Sequence, residues 1–166
     1  MSLTENNMHD ILDVRSLIER IEELEAEREQ LQDHADACED AYKYHDSDDT
    51  QSTPEWADLE AARAALLEWD TGPDNQERID LMTIMEDLRG AGGDEQWRGD
   101  WYPITLIRDT YFVEYVTELV SDIGDIPRDL PSYIVIDWEA TASNIQHDYT
   151  SVDIDGVDYW FRCCLL

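Results

Sequence analysis

The chain has 166 residues, with 41 Asp and Glu against 11 Lys and Arg, a formal net charge of -30. That balance excludes a basic grip on nucleic acid and disfavours docking on an anionic membrane leaflet, because both need clustered cations. It does not describe a disordered acidic chain either, since 42% of residues are hydrophobic and 10% aromatic, with 6 Trp and 8 Tyr. A folded protein is expected, one that tolerates or uses strong self-repulsion.

Residues 1–10 read as a short polar tail with no basic n-region, so no secretory signal is expected. No apolar run approaches the roughly 18 residues that span a bilayer. The Cys are Cys38, Cys163 and Cys164, an odd number that forms no disulfide framework, and a reducing cytoplasm is the expected location. From Val14 the apolar positions run Val14, Leu17, Ile21, Leu24, Leu31, Ala35, Cys38 and Tyr42, with Arg28 filling the one missing step. Spacings of three and four in alternation predict a heptad helix from about 11 to 44, roughly 50 Å long. The acidic stretch from His45 to Thr53 ends it. Ser52 or Thr53 can cap a second helix with Pro54 in its first turn, and Trp56, Leu59, Ala62, Leu66 and Trp69 give that helix an apolar stripe. The pair is either a helical hairpin or a dimeric coiled coil with a short return helix. Leu17, Ile21, Leu24, Arg28 and Leu31 are the expected assembly positions, Arg28 needing a carboxylate on a facing helix of the same chain or of a second copy.

Thr71-Gly72-Pro73 punctuates the chain, and Asp74 with Glu77 has capping-box spacing before a third helix carrying Ile79, Leu81, Met82, Ile84, Met85 and Leu88. Gly90, Gly92 and Gly93 mark the expected boundary between an acidic helical region, 1–92, and a small α+β domain, 93–166. In the latter, ITLIRD is a strand or a loop. Tyr111, Phe112, Tyr115, Val116, Leu119, Val120 and Ile123 form a helical face closed by Gly124. Asp137 can cap a short helix bearing Trp138, Ala142 and Ile145. Val152 to Phe161 alternates about Asp155-Gly156 as a β-hairpin. The fold class is mainly α, a coiled-coil-like hairpin followed by a small α+β unit that ends in a β-hairpin.

Little in the chain points to catalysis. His34 and Cys38 lie four apart on the long helix, but a zinc site needs further ligands that are not nearby. Asp46, Asp48 and Asp49 lack the turn glycine and bidentate Glu of a calcium loop and read as a solvated acidic loop. There is no G-x-S-x-G, no phosphate-cradling glycine loop and no H-E-x-x-H, and Lys43 is the only lysine. A non-enzyme without metal or cofactor is expected.

The charge is spread along the whole chain: residues 1–70 carry 21 acidic and 5 basic side chains, and residues 71–166 carry 20 and 6. On the long helix the acidic residues are Glu19, Glu22, Glu23, Glu25, Glu27, Glu29, Asp33, Asp36, Glu39 and Asp40. Residues three or four apart are neighbours on a helix surface, so a rigid acidic helix can imitate the phosphates of a DNA strand. A solvated coiled-coil face is the alternative, but it normally mixes Glu with Lys.

The C-terminal stretch Ile136-Asp137-Trp138-Glu139-Ala140, then Asp148-Tyr149, then Gly156-Val157-Asp158-Tyr159-Trp160-Phe161-Arg162, resembles the end of the ArdA-type antirestriction proteins. The helix with Tyr111, Phe112 and Tyr115 is similar to theirs too, so the resemblance spans about residues 97–162. The long heptad helix departs from that family. The resemblance implies a DNA mimic of a phage or mobile element that occupies the DNA groove of a host defence complex. A restriction-modification enzyme is the target it implies, and a CRISPR surveillance complex, with its positively charged DNA channel, is the second. The expected partner-binding face is the ten acidic residues above with Asp46, Asp48 and Asp49. Trp97, Trp101 and Tyr102, in a glycine-flanked stretch, are candidate anchors, against the blander reading that they cover the C-terminal core. An acidic coiled-coil adaptor and a chaperone of basic proteins are the competing functions.

Overall fold

The computed structural model describes residues 9–44, 53–124, 126 and 129–162. The chain is mainly helical, with a small antiparallel sheet that ends in a β-hairpin, as its sequence predicts. In chain order the elements are β1 (Ile11–Asp13), α1 (Val14–Lys43), α2 (Pro54–Thr71), α3 (Pro73–Leu88), β2 (Glu95–Trp97), β3 (Asp100–Tyr102), β4 (Thr105–Arg108), α4 (Phe112–Asp122), α5 (Trp138–Ile145), β5 (Tyr149–Ile154) and β6 (Val157–Arg162). They pack as two units, Met1–Ile18 with Ile84–Leu166, and Glu19–Thr83. The sequence suggests one cut, at the glycines near 92; the packed units instead share α1 and α3 between them.

The unit Glu19–Thr83 is helical. Thr53 caps α2, its hydroxyl accepting from the Trp56 backbone N–H at 3.3 Å, with Pro54 as the first helical residue. Ser52, the other expected cap, lies outside the described residues, as do Asp46, Asp48 and Asp49. Only Gly72 separates α2 from α3. α3 begins at Pro73, so Asp74 stands in its first turn rather than at its cap, a correction of two residues. The physical reason is that proline presets the helical φ and has no N–H to leave unsatisfied. α1 pairs with α2 of its own chain: the Tyr42 and Trp56 rings meet at 5.3 Å with their planes tilted by 56°, and Arg28 and Arg63 bond across to Asp70 and Glu39. Ile21, Leu24, Ala35, Leu59, Ala62, Trp69 and Leu81 are buried, and Leu31 is half-buried.

In the other unit four strands form one antiparallel sheet in the order β1-β4-β6-β5. β1 corrects the expectation of a helix starting near residue 11. Ile11, Leu12 and Asp13 pair with Ile107, Leu106 and Thr105, and the Arg108 N–H donates to the Asp10 carbonyl at 2.9 Å. Asp13 then caps α1, its Oδ1 accepting from the Arg15 backbone N–H at 2.9 Å. The Arg15 guanidinium also bonds this carboxylate and holds it below its ordinary range. ITLIRD resolves as β4, paired on both sides. On one face of the sheet Ile107 packs with Phe112, Val116 and Ala142, so α4 and α5 cover it. Leu12, Leu17, Leu106, Tyr159 and Phe161 are also buried, and the Tyr159 hydroxyl donates to the His9 carbonyl at 3.2 Å.

The expected local signals operate here. Gly124, at φ +78°, follows the last turn of α4, and Asp137 caps α5 by accepting from the Ala140 N–H at 3.0 Å. Asp155 and Gly156 both have positive φ, as a type I′ hairpin turn requires. Gly93 is needed for a different reason: a Cβ there would sit 2.1 Å from the Tyr102 carbonyl oxygen.

Candidate functional site

The acidic face of α1 is an arrangement of two rows. Glu22, Glu25, Glu29, Asp33, Asp36 and Asp40 follow one another at three- and four-residue steps and therefore share one line on the helix surface. Glu19, Glu23 and Glu27 form a second line beside it at four-residue steps. All are exposed except Glu25, which is half-buried. From Glu19 to Asp40 the helix rises about 32 Å at 1.5 Å per residue, so these nine carboxylates recur about every 4 Å of axis.

What happens to the cations decides the character of this face. Within the unit Glu19–Thr83, Arg28 donates through Nε to Asp70 Oδ1 at 2.8 Å and through Nη2 to Oδ2 at 3.3 Å. Arg20 bonds Glu77 of α3 at 2.9 Å and Glu23 at 3.2 Å. Arg63 and Lys43 converge on Glu39, at 3.2 and 2.9 Å, and their bonds hold that carboxyl below its ordinary range. Arg78 is occupied by the Asn75 side-chain oxygen at 3.0 Å. The positive charge of the unit is thus drawn largely into interhelical and local pairs. Among the described residues no cation lies within ion-pair distance of Glu19, Glu27, Glu29, Asp33 or Asp36, and Asp36 instead accepts from the Gln32 amide at 2.9 Å. Glu39, expected on the binding face, is taken by Lys43 and Arg63, Glu23 by Arg20, and Asp40 by Lys43 at 3.6 Å.

Of the expected assembly positions, Leu17, Ile21 and Leu24 are buried and Leu31 is half-buried within the chain itself, and Arg28 bonds a carboxylate on α2 of the same chain. The anchors divide. Trp97 and Tyr102 are buried, their rings in an edge contact at 6.0 Å, and only Trp101 is exposed, at 49%. The cause is a two-residue turn at Arg98 and Gly99, both at positive φ, which folds the stretch into the β2–β3 hairpin. The glycine-flanked stretch is therefore ordered structure, with two of its three aromatics turned inward.

The remaining candidate chemistry is sparse. His34 Nε2 and Cys38 Sγ lie 3.9 Å apart, and among the described residues no three His, Cys, Asp or Glu side chains gather as a metal site. Among these residues, no helix is long and apolar enough to cross a membrane. The single-line arrangement of six carboxylates was open to inspection in the sequence through its spacing. The removal of the cations was not, because it depends on Asp70 and Glu77 arriving from α2 and α3. No family model, curated protein or solved structure matches the chain.

Proposed function

We propose that the protein is a non-enzymatic DNA mimic of a phage or mobile element, acting in the host cytoplasm by occupying the DNA-binding surface of a defence complex. One observation carries this reading: α1 presents two rows of carboxylates about every 4 Å of axis, while Arg20, Arg28 and Arg63 of its unit bond across between helices. A single DNA strand carries one phosphate per about 3.4 Å of axis. A basic groove built to neutralise phosphates meets a comparable linear charge density on this helix, and long-range attraction speeds encounter. A solvated adaptor helix would gain from cations laced between its acids, whereas here Glu19, Glu27, Glu29 and Asp33 lack them. The similarity of residues 97–162 to ArdA-type proteins makes a restriction-modification enzyme the first target, with CRISPR surveillance complexes next.

The test uses a purified type I restriction-modification complex and the full chain. Inhibition of DNA binding should be relieved by excess competitor DNA. It should also weaken by about tenfold or more when Glu29, Asp33 and Asp36 become Gln, Asn and Asn, because removed charges act mainly on association. Inhibition that excess DNA leaves untouched, or that the triple variant retains in full, would overturn the reading.

A further inference from the structure

The unit containing the sheet holds a pocket of about 290 Å³ that the acidic face does not use. Its apolar side is formed by buried Ile107 of β4, half-buried Leu119 of α4, and Ile104 ahead of the strand. Polar residues line its other side: Tyr115 and Tyr149, whose phenol oxygens are 3.5 Å apart, Arg162 at the end of β6, and Asp94 and Thr105. Two hydroxyls sharing one hydrogen bond leave the second O–H free to donate. Arg162 is equally notable. Arg15, Arg20, Arg28, Lys43, Arg63 and Arg89 each hold a carboxylate, as expected at a net charge of -30. Among the described residues Arg162, like Arg78 and Arg108, holds none, although Asp94 lines the same pocket.

We propose that this pocket binds a small monocarboxylate with a flat apolar body, its carboxylate held by Arg162 and a phenol hydroxyl and its body lying on Ile107 and Leu119. Guanidinium and phenol are both donors, so the complementary group is an acceptor, and an anion makes the stronger bond. The apolar floor selects against inorganic anions, which would leave it wet. The volume suits about ten water-sized groups at roughly 30 Å³ each, the size of a phenylalkanoate. Burial and the Tyr115 contact raise the Tyr149 phenol above its ordinary value, so the donor keeps its proton at neutral pH. This inference stands apart from DNA mimicry and needs no partner protein.

The experiment titrates the full ¹⁵N-labelled chain with 3-phenylpropionate, and in parallel with the neutral 3-phenylpropanamide, at about 0.15 M salt so that the overall negative charge is screened. Saturable shifts are expected at Thr105, Ile107, Tyr115, Leu119 and Tyr149, with the acid bound about tenfold more tightly than the amide. Arg162→Gln, at an exposed strand end, should abolish that preference while leaving amide binding in place, and Tyr149→Phe should weaken the acid about threefold. The comparison of acid with amide on the unaltered chain decides the matter even if a variant misfolds. Equal binding of acid and amide, shifts centred elsewhere, or no saturable shift up to tens of millimolar would each overturn the proposal.

Discussion

Arg28→Leu separates two views of the long helix. Heptad patterning alone predicts a gain in stability, since leucine is the residue a core step prefers. The structure predicts a loss. Arg28 donates twice to Asp70 of α2, at 2.8 and 3.3 Å, and this bond ties α1 to its return helix. The two side chains remain 40% and 35% exposed, so solvent screening confines the pair to the range of surface ion pairs, about 0.5–1 kcal/mol. Leucine recovers little of this, because a side chain left 40% exposed among polar neighbours gains little from burial. The net expectation is a destabilisation of about 0.5 kcal/mol, or roughly 1–2 °C in Tm for a chain of this size. The variant also carries one more net negative charge, whereas Asp70→Asn carries one fewer and the double variant restores the original total. A double-mutant cycle therefore isolates the pair from the general repulsion, with an expected coupling of about 0.5 kcal/mol. Urea denaturation followed by circular dichroism, with the mass checked by light scattering, provides the measurement. A variant that is more stable than the parent at unchanged mass, with no coupling to Asp70, would refute the ion-pair argument and return Arg28 to the heptad core.

Two further outcomes are expected. Asp137→Ala removes the cap of α5, a helix of only 8 residues, and should cost about 1 kcal/mol with faster amide exchange at Ala140; unchanged exchange would show that the cap contributes nothing. In an alkaline titration Tyr149 should ionise later than an ordinary phenol. Its proton is favoured in the folded state by burial first and the Tyr115 contact second, so the stability it lends is intact below about pH 10 and is lost as pH rises towards the raised value. Phenolate absorbance should thus show a delayed fraction, to which Tyr102, Tyr111 and Tyr159 also contribute, whose last part is lost in Tyr149→Phe; eight tyrosines titrating together in a folded chain would contradict this.

The elements that the sequence discloses are those with local causes. α4 follows from a run of apolar residues at helical spacing that stops at Gly124, α5 from the Asp137 cap, and the last hairpin from alternation about Asp155-Gly156. β1 is hidden because Ile11 and Leu12 sit just upstream of the heptad stripe and look like its continuation. Their conformation is decided by β4, far along the chain, whose Leu106 and Ile107 offer a strand edge. Asp13 was the available local sign, since a carboxylate two residues before Arg15 can cap a helix and so places its start at Val14. The β2–β3 hairpin lacks the usual turn signature, having Arg98 rather than Asn or Asp before Gly99, and its strands are too short for alternation to register.

The same division governs the candidate site. Spacing along one helix places six carboxylates on a line, and this is a property of α1 alone. Whether that line is bare or laced with cations is a tertiary matter. Arg20 and Arg28 lie among the acids of α1, and in an isolated helix each would sit beside carboxylates on its own surface, Arg28 with Glu25 one turn before it. Asp70 draws Arg28 across to α2 and Glu77 draws Arg20 to α3, although Arg20 also keeps Glu23 of its own helix, so packing separates part of the charge that the sequence interleaves. Each such bond does two things at once: it fixes the hairpin and it raises the negative potential of the outer face. Strengthening the fold and sharpening the anionic surface are then one operation, and a substitution at Asp70 or Glu77, remote from the acidic rows, should alter the charge that a basic partner meets.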